Sequence, residues 1–169
     1  MKESPCIFLS RSIAPLKSFG PNFPPLRRTE AHLNLDPSAF VADKELLDAL
    51  GQRSTSVFCD QDRVLFRQGD TPVGLYVLRA GSATLTMTSH TGEPLLRLSV
   101  SPGALLGLPG FVGNQPYSLT AEARRGSELG FVSREQFSDL MLNNPALSLK
   151  LLSVLAAEVR TARNAISEG

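Results

Sequence analysis

The chain has 169 residues, of which 42% are hydrophobic and 20% charged, with a formal net charge of +1. That length supports one substantial core with appendages rather than two full domains, and the near-neutral charge argues against an extended nucleic-acid groove, which needs a basic face. Cys6 and Cys59 are too few for a disulfide framework and their spacing fits no zinc or iron–sulfur pattern, so a cytoplasmic, reducing setting is expected.

Residues 1–35 carry prolines at 5, 15, 21, 24 and 25 without sustained periodicity, the signature of a Pro-rich, disordered leader. Two alternatives stay open: Phe8, Phe19, Phe23 and Leu26 lie along the domain surface, or the segment is an upstream mis-start. Cys6-Ile7-Phe8-Leu9 is too short for a signal-peptide core, and no run approaches the ~20 apolar residues of a membrane span. No membrane partner is expected. The basic pairs Arg27-Arg28 and Arg124-Arg125 read as solvated surface.

A domain is expected over 36–144. Asp36-Pro37 predicts a helix start, with Asp as N-cap and Pro at the first position, leading into Ser38–Ala42. Asp43 caps a second short helix whose Leu46, Leu47 and Leu50 share a face and which Gly51 ends. From Ser54 to Val132 the hydrophobic period is two. Leu65-Phe66, the turn Gly69-Asp70-Thr71-Pro72 and Leu75–Leu78 read as strand, tight turn and strand. Ala83, Leu85 and Met87 alternate with Thr84, Thr86 and Thr88; His90–Glu93 reverses the chain; Leu96, Leu98 and Val100 alternate back. Ser118–Ala123 and Glu128–Val132 are two further strands. Short strands punctuated by Gly and Pro predict a mainly β fold with flanking helices, an antiparallel roll or barrel.

Ser133 with Gln136 forms a capping box for a short helix that places Phe137, Leu140 and Met141 on one face, and Asn143-Asn144-Pro145 stops it. A long C-terminal helix follows over Ala146–Glu168, the third expected unit being 145–169. It carries two stripes: Leu147, Leu151 and Val154, and, at alternating spacings of three and four, Leu152, Leu155, Val159, Ala162 and Ile166. The second is a heptad-like seam. One stripe can pack on the roll. Either both form one wide apolar face, or the second is the seam of a parallel homodimer, favoured if the outer half of the helix projects beyond so small a domain. Barely two heptads are marginal alone, so a dimer also uses roll contacts.

The order Phe66, Gly69, Asp70, Tyr76, Leu78 and Gly81 resembles the opening of a cyclic-nucleotide-binding domain of the Crp/Fnr type, and the resemblance extends over roughly Leu46–Ile166. It implies a double-stranded β-helix, a jelly-roll-like β-roll, followed by a long helix. It also implies a ligand cassette in which a Gly-x-x-x-Gly-Glu turn is followed by a Pro-Arg-Ser/Thr-Ala-Thr run. There the glycines let backbone approach the phosphate, Arg pairs with its charge and Glu accepts the ribose hydroxyl. The matching residues are Gly103, Leu105, Leu106, Gly107, Leu108 and Pro109, then Pro116, Tyr117, Ser118 and Thr120. Leu108 stands in the Glu position and Tyr117 in the Arg position. Two lost charge-assisted hydrogen bonds, at ~1.5–3 kcal/mol each, weaken cyclic-nucleotide binding by roughly a hundredfold or more.

The expected pocket is thus degenerate, lined by Leu105, Leu106, Leu108, Pro109, Phe111, Tyr117 and Ser118, with Gln115 and Thr120 as polar contacts. Between Leu98 and Ala123 the one ionisable side chain besides tyrosine is Glu122, which strand alternation points outward. The lining suits a small apolar or aromatic effector, or an empty structural pocket. No enzyme and no cofactor are expected: His32 and His90 are isolated, no metal-ligand cluster forms, and no nucleophile motif is present. In Crp/Fnr regulators a helix-turn-helix domain follows the long helix, whereas this chain stops at Gly169. The expectation is a non-enzymatic sensor domain, homodimeric, without direct DNA binding. The alternatives are a module that heterodimerises with a full-length regulator, or a truncated regulator.

Overall fold

The computed structural model describes residues 33–168, so the expected leader lies outside the described residues except for its last three. Of those three, Leu33 donates its N–H to the Leu95 carbonyl at 2.9 Å, and Leu35 packs on the core.

The Asp36-Pro37 start yields only one 3-10 turn, Pro37–Phe40, with the Asp36 carboxylate accepting the Ser38 N–H at 2.9 Å. It is shorter than the predicted Ser38–Ala42 because Val41 leaves it to bridge Ala104. Asp43 caps α1 (Lys44–Gln52), accepting the Leu46 N–H at 2.9 Å, and Leu46 and Leu50 are completely buried. Gly51 does not end this helix. It sits in the last turn, and Arg53 closes the helix in ordinary right-handed conformation.

Eight strands follow: β1 (Thr55–Phe58), β2 (Arg63–Phe66), β3 (Gly74–Ala80), β4 (Ala83–Thr88), β5 (Pro94–Val100), β6 (Leu105–Leu106), β7 (Thr120–Ala123) and β8 (Glu128–Ser133), with α2 (Leu108–Gly113) between β6 and β7. They form two four-stranded sheets, ordered β1-β8-β3-β6 and β2-β7-β4-β5, in which every pairing is antiparallel. This is the double-sheeted roll that the short alternating strands predict.

Alternation along β3 sorts side chains between two cores. Tyr76 and Leu78 face the roll interior with Leu85, Val100, Leu106, Ala121 and Leu129. Leu75 and Val77 face the helices, packing with Leu46, Leu50, Leu140, Leu147 and Leu151. α3 (Arg134–Asn143) carries the predicted capping box, with the Gln136 N–H on Ser133 Oγ at 3.2 Å and the Ser133 N–H on Gln136 Oε1 at 3.0 Å. α4 (Pro145–Glu168) completes the domain. Among the described residues no single helix is long and apolar enough to cross a membrane.

The first stripe of α4 is buried as expected, at Leu147, Leu151 and Val154. The outer half, however, does not project. Thr161 and Ala165 are buried as well, and Thr161 Oγ1 accepts the Asp36 N–H at 2.7 Å. The docking row thus continues at the same four-three spacing past Val154, through Glu158 and Thr161 to Ala165, because the turn at Asp36 rises to meet the helix. The second stripe remains outside: Leu152, Val159 and Ile166 are 57%, 49% and 70% exposed. Of its other members, Leu155 is half-buried against the helix-side core and Ala162 is half-buried.

Candidate ligand pocket

The pocket begins with a turn. Gly69 adopts φ +93, open to glycine without strain, and this lets Arg67 and Asp70 close on each other: the Asp70 N–H donates to the Arg67 carbonyl at 3.0 Å, and the Asp70 carboxylate accepts the Arg67 N–H at 3.0 Å. The turn then grips the segment entering β7. The Gly69 N–H donates to the Tyr117 carbonyl at 2.8 Å, and the Tyr117 N–H donates to the Asp70 carbonyl at 3.0 Å. The Gln68 N–H adds a bond to Thr120 Oγ1 at 2.9 Å. The Gly-Asp turn legible in the sequence is therefore the clamp that fixes residue 117.

Tyr117 fills the interior that the clamp aims it into. Its ring stacks on Phe66, with centroids 3.9 Å apart and planes 20° off parallel, and its hydroxyl donates to the Gly74 carbonyl at 2.6 Å. Gly107, at φ +88, lies against the same ring: a Cβ there would stand 2.8 Å from Tyr117 Cε1. The aromatic side chain thus occupies the space at the glycine turn and has no hydroxyl left to donate to a ligand. Tyr117→Phe keeps the stack but strips the buried Gly74 carbonyl of that donor, and should cost about 1–3 kcal/mol, read as a lower urea midpoint with an unchanged slope.

What remains is a cavity of about 40 Å³, room for a few waters and far below the ~300–1,000 Å³ of ordinary ligand sites. Of the residues expected to line it, Leu105, Leu106, Gly107, Pro109, Tyr117 and Ser118 do. Leu108 and Phe111 do not. They lie one helical turn apart on α2, on the face turned toward the helix-side core, and both are completely buried there. Gly103 is also elsewhere, packed beside Val41 and Leu47, with its N–H on the Leu78 carbonyl at 2.8 Å. Gln115 and Pro116 are exposed, and Thr120 is held by Gln68. Glu122, at the surface beyond, pairs with Arg124 at 3.0 Å.

The remaining wall comes from elements that a local reading does not connect: Phe40 of the 3-10 turn, Phe66 of β2, Leu85 of β4, Gly110, Leu119, and Glu158 of α4. Among the described residues Glu158 is the one acidic group on this wall. Its Oε1 is shut from solvent without a hydrogen-bond partner, and burial pushes its carboxyl up to about 8. The sequence holds one signal for it: a glutamate in the docking register of an otherwise apolar helix face. Among the described residues no three His, Cys, Asp or Glu side chains group as a metal site would require.

Residues 56–144 match the cyclic nucleotide-binding domain family. The transcriptional activator protein Anr of Pseudomonas protegens is 28% identical over 130 residues, which span 77% of this chain and 52% of that protein. The transcriptional activator protein FnrA of Stutzerimonas stutzeri is 27% identical over 128 residues, 76% of this chain and 51% of its own length. Among solved structures, the catabolite activator protein of Thermus thermophilus superposes with a TM-score of 0.65 at 25% identity, covering 78% of this chain and 62% of that one. The chain spans about half the length of the curated relatives it matches.

Proposed function

Because this chain belongs to the cyclic nucleotide-binding domain family and its relatives include Crp/Fnr-type transcriptional activators, we propose that it is a non-enzymatic sensor domain whose pocket no longer takes a cyclic nucleotide. The observation that carries this reading is Tyr117. The position where the family resemblance calls for a phosphate-pairing Arg holds a ring stacked on Phe66 with its hydroxyl committed to Gly74. Leu108, in the position of the ribose-binding Glu, is buried away from the cavity altogether. Among the described residues that line it, a cyclic phosphodiester brought here meets no cation, only the buried Glu158 carboxyl.

Calorimetric titration tests the reading. Cyclic AMP and cyclic GMP should bind no tighter than about 0.1 mM, a free energy of about −5.5 kcal/mol; micromolar binding of either overturns it. In the same reading the domain pairs with a second copy through Leu152, Val159 and Ile166 of α4, the large apolar side chains this helix leaves to solvent along one line.

A further inference from the structure

We infer that this pocket has reversed its charge preference and takes a small ligand with an aromatic or apolar body and a cationic, N–H-rich head, bound with the head on the Glu158 carboxyl. The inference rests on the reading that the pocket does not take a cyclic nucleotide, and adds to it the class of ligand that the pocket does take.

Three observations on the wall point the same way. The body of the site is apolar: Phe66 and Tyr117 form a stacked floor, with Leu85 and Leu106 beside them. Its single charge-bearing acceptor among the described residues is Glu158, whose Oε1 is buried and unpartnered. An unsatisfied buried carboxyl oxygen costs free energy that a ligand donor recovers, and an ionised carboxylate can only accept. Among the described residues no Lys, Arg or His stands on the wall to receive an anion. Arg160 and Arg163, the nearest cations along α4, line a separate groove with Leu152 and Val159. Size narrows the class further. The enclosed space is about 40 Å³ behind a partly open mouth, so only a head as small as an ammonium or amidine is taken inside, with its ring standing in the mouth, and a nucleotide is excluded.

Binding of such a cation is coupled to a proton. Burial raises the Glu158 carboxyl to about 8, so near pH 7 the free site is largely protonated. The other titratable wall group is Tyr117, with its hydroxyl on Gly74. From the 3-10 turn that packs on α4, Asp36 directs its carboxylate to Ser38. The reaction is then carboxylic acid plus cation giving carboxylate–cation pair plus one proton, which passes to the buffer.

The test is calorimetry of the whole chain at pH 7 with benzamidine and phenethylamine, in two buffers of different ionisation enthalpy, with benzoate as the control of opposite sign. At least one of the two cations should bind, release close to one proton, and bind about tenfold more tightly for each unit of pH between 6 and 7. Benzoate should bind at least tenfold more weakly, and Glu158→Gln, an isosteric mimic of the neutral acid, should lose at least tenfold for the cation. Failure of both cations, equal binding of benzoate, or binding without proton release by the unmodified protein overturns the inference; the proton count needs no variant. Cyclic AMP in a parallel titration separates the two readings. Micromolar binding of it overturns the reading of the pocket as closed to nucleotides, whereas silence from it and from both cations overturns the charge reversal alone.

Discussion

Between pH 5.5 and pH 8 the domain should lose about 2–3 kcal/mol of unfolding free energy, and Glu158→Gln should abolish most of that loss. The native carboxyl holds its proton up to about 8, against 4.5 for an ordinary glutamate. Between those values the folded state is protonated and the unfolded chain is not. Raising the pH therefore favours unfolding, by at most about 1.4 kcal/mol per pH unit. The contribution is complete below the ordinary glutamate value and is gone once the pH passes the native one. The other shifted carboxylates do not mask it. Asp36, Asp43 and Asp62 are lowered by hydrogen bonds from Ser38, Lys150 and Arg125 respectively, so their contributions are lost only as the pH falls through the carboxylate range. Lys150 is raised by Asp43 and Glu45 and acts only at alkaline pH. Urea denaturation at constant ionic strength across this window checks the slope; a flat profile in the unmodified protein would mean that Glu158 is solvated.

Leu152→Glu, Val159→Glu and Ile166→Glu together should convert a homodimer into a folded monomer, weakening association by at least about a thousandfold. Fully burying a Leu, Val or Ile side chain is worth about 1.5–3 kcal/mol. Three such losses on each of two helices, joined by repulsion among the new carboxylates, exceed the ~4 kcal/mol that a thousandfold requires. The monomer should keep its stability to within about 1 kcal/mol, since exposed positions rarely matter more. Leu155 is left in place because it packs on the helix-side core and its replacement would mix unfolding with dissociation. Light scattering at tens of micromolar gives the answer. An unmodified chain that is already monomeric there would make the exposed stripe ordinary surface.

The two faces of α4 also show how far sequence reasoning reaches. Apolar spacing alone separates Leu147, Leu151 and Val154, which are buried, from Leu152, Val159 and Ile166, which are exposed, while Leu155 and Ala162 of the second stripe lie between. The docking row was cut short at Val154 because its next members, Glu158 and Thr161, are polar. Thr161 is held inward by a tertiary contact, the Asp36 N–H on its Oγ1, from more than a hundred residues away in the chain. Local chemistry was more legible. The caps at Asp43 and Ser133 and the Gly69-Asp70 turn are each written within four residues, and each forms. The pocket wall was legible where a strand or turn supplied it, as at Leu106, Gly107 and Tyr117. It was not legible across α2, where β6 ends after two residues and helical rotation carries Leu108 and Phe111 away while Pro109 and Gly110 turn inward. Gly51 misled for a related reason: helix-ending glycine needs the left-handed conformation, and here the helix closes at Arg53 without it.

Backbone amide chemical shifts during titration with cyclic AMP test most directly whether Tyr117 closes the nucleotide site. The account predicts that the amides of Gly107, Gly110 and Ser118 show no saturable shift below about 0.1 mM ligand, beyond which binding is worth no more than about −5.5 kcal/mol. Saturable shifts at those amides in the micromolar range, with the Tyr117 ring displaced from Phe66, would contradict it.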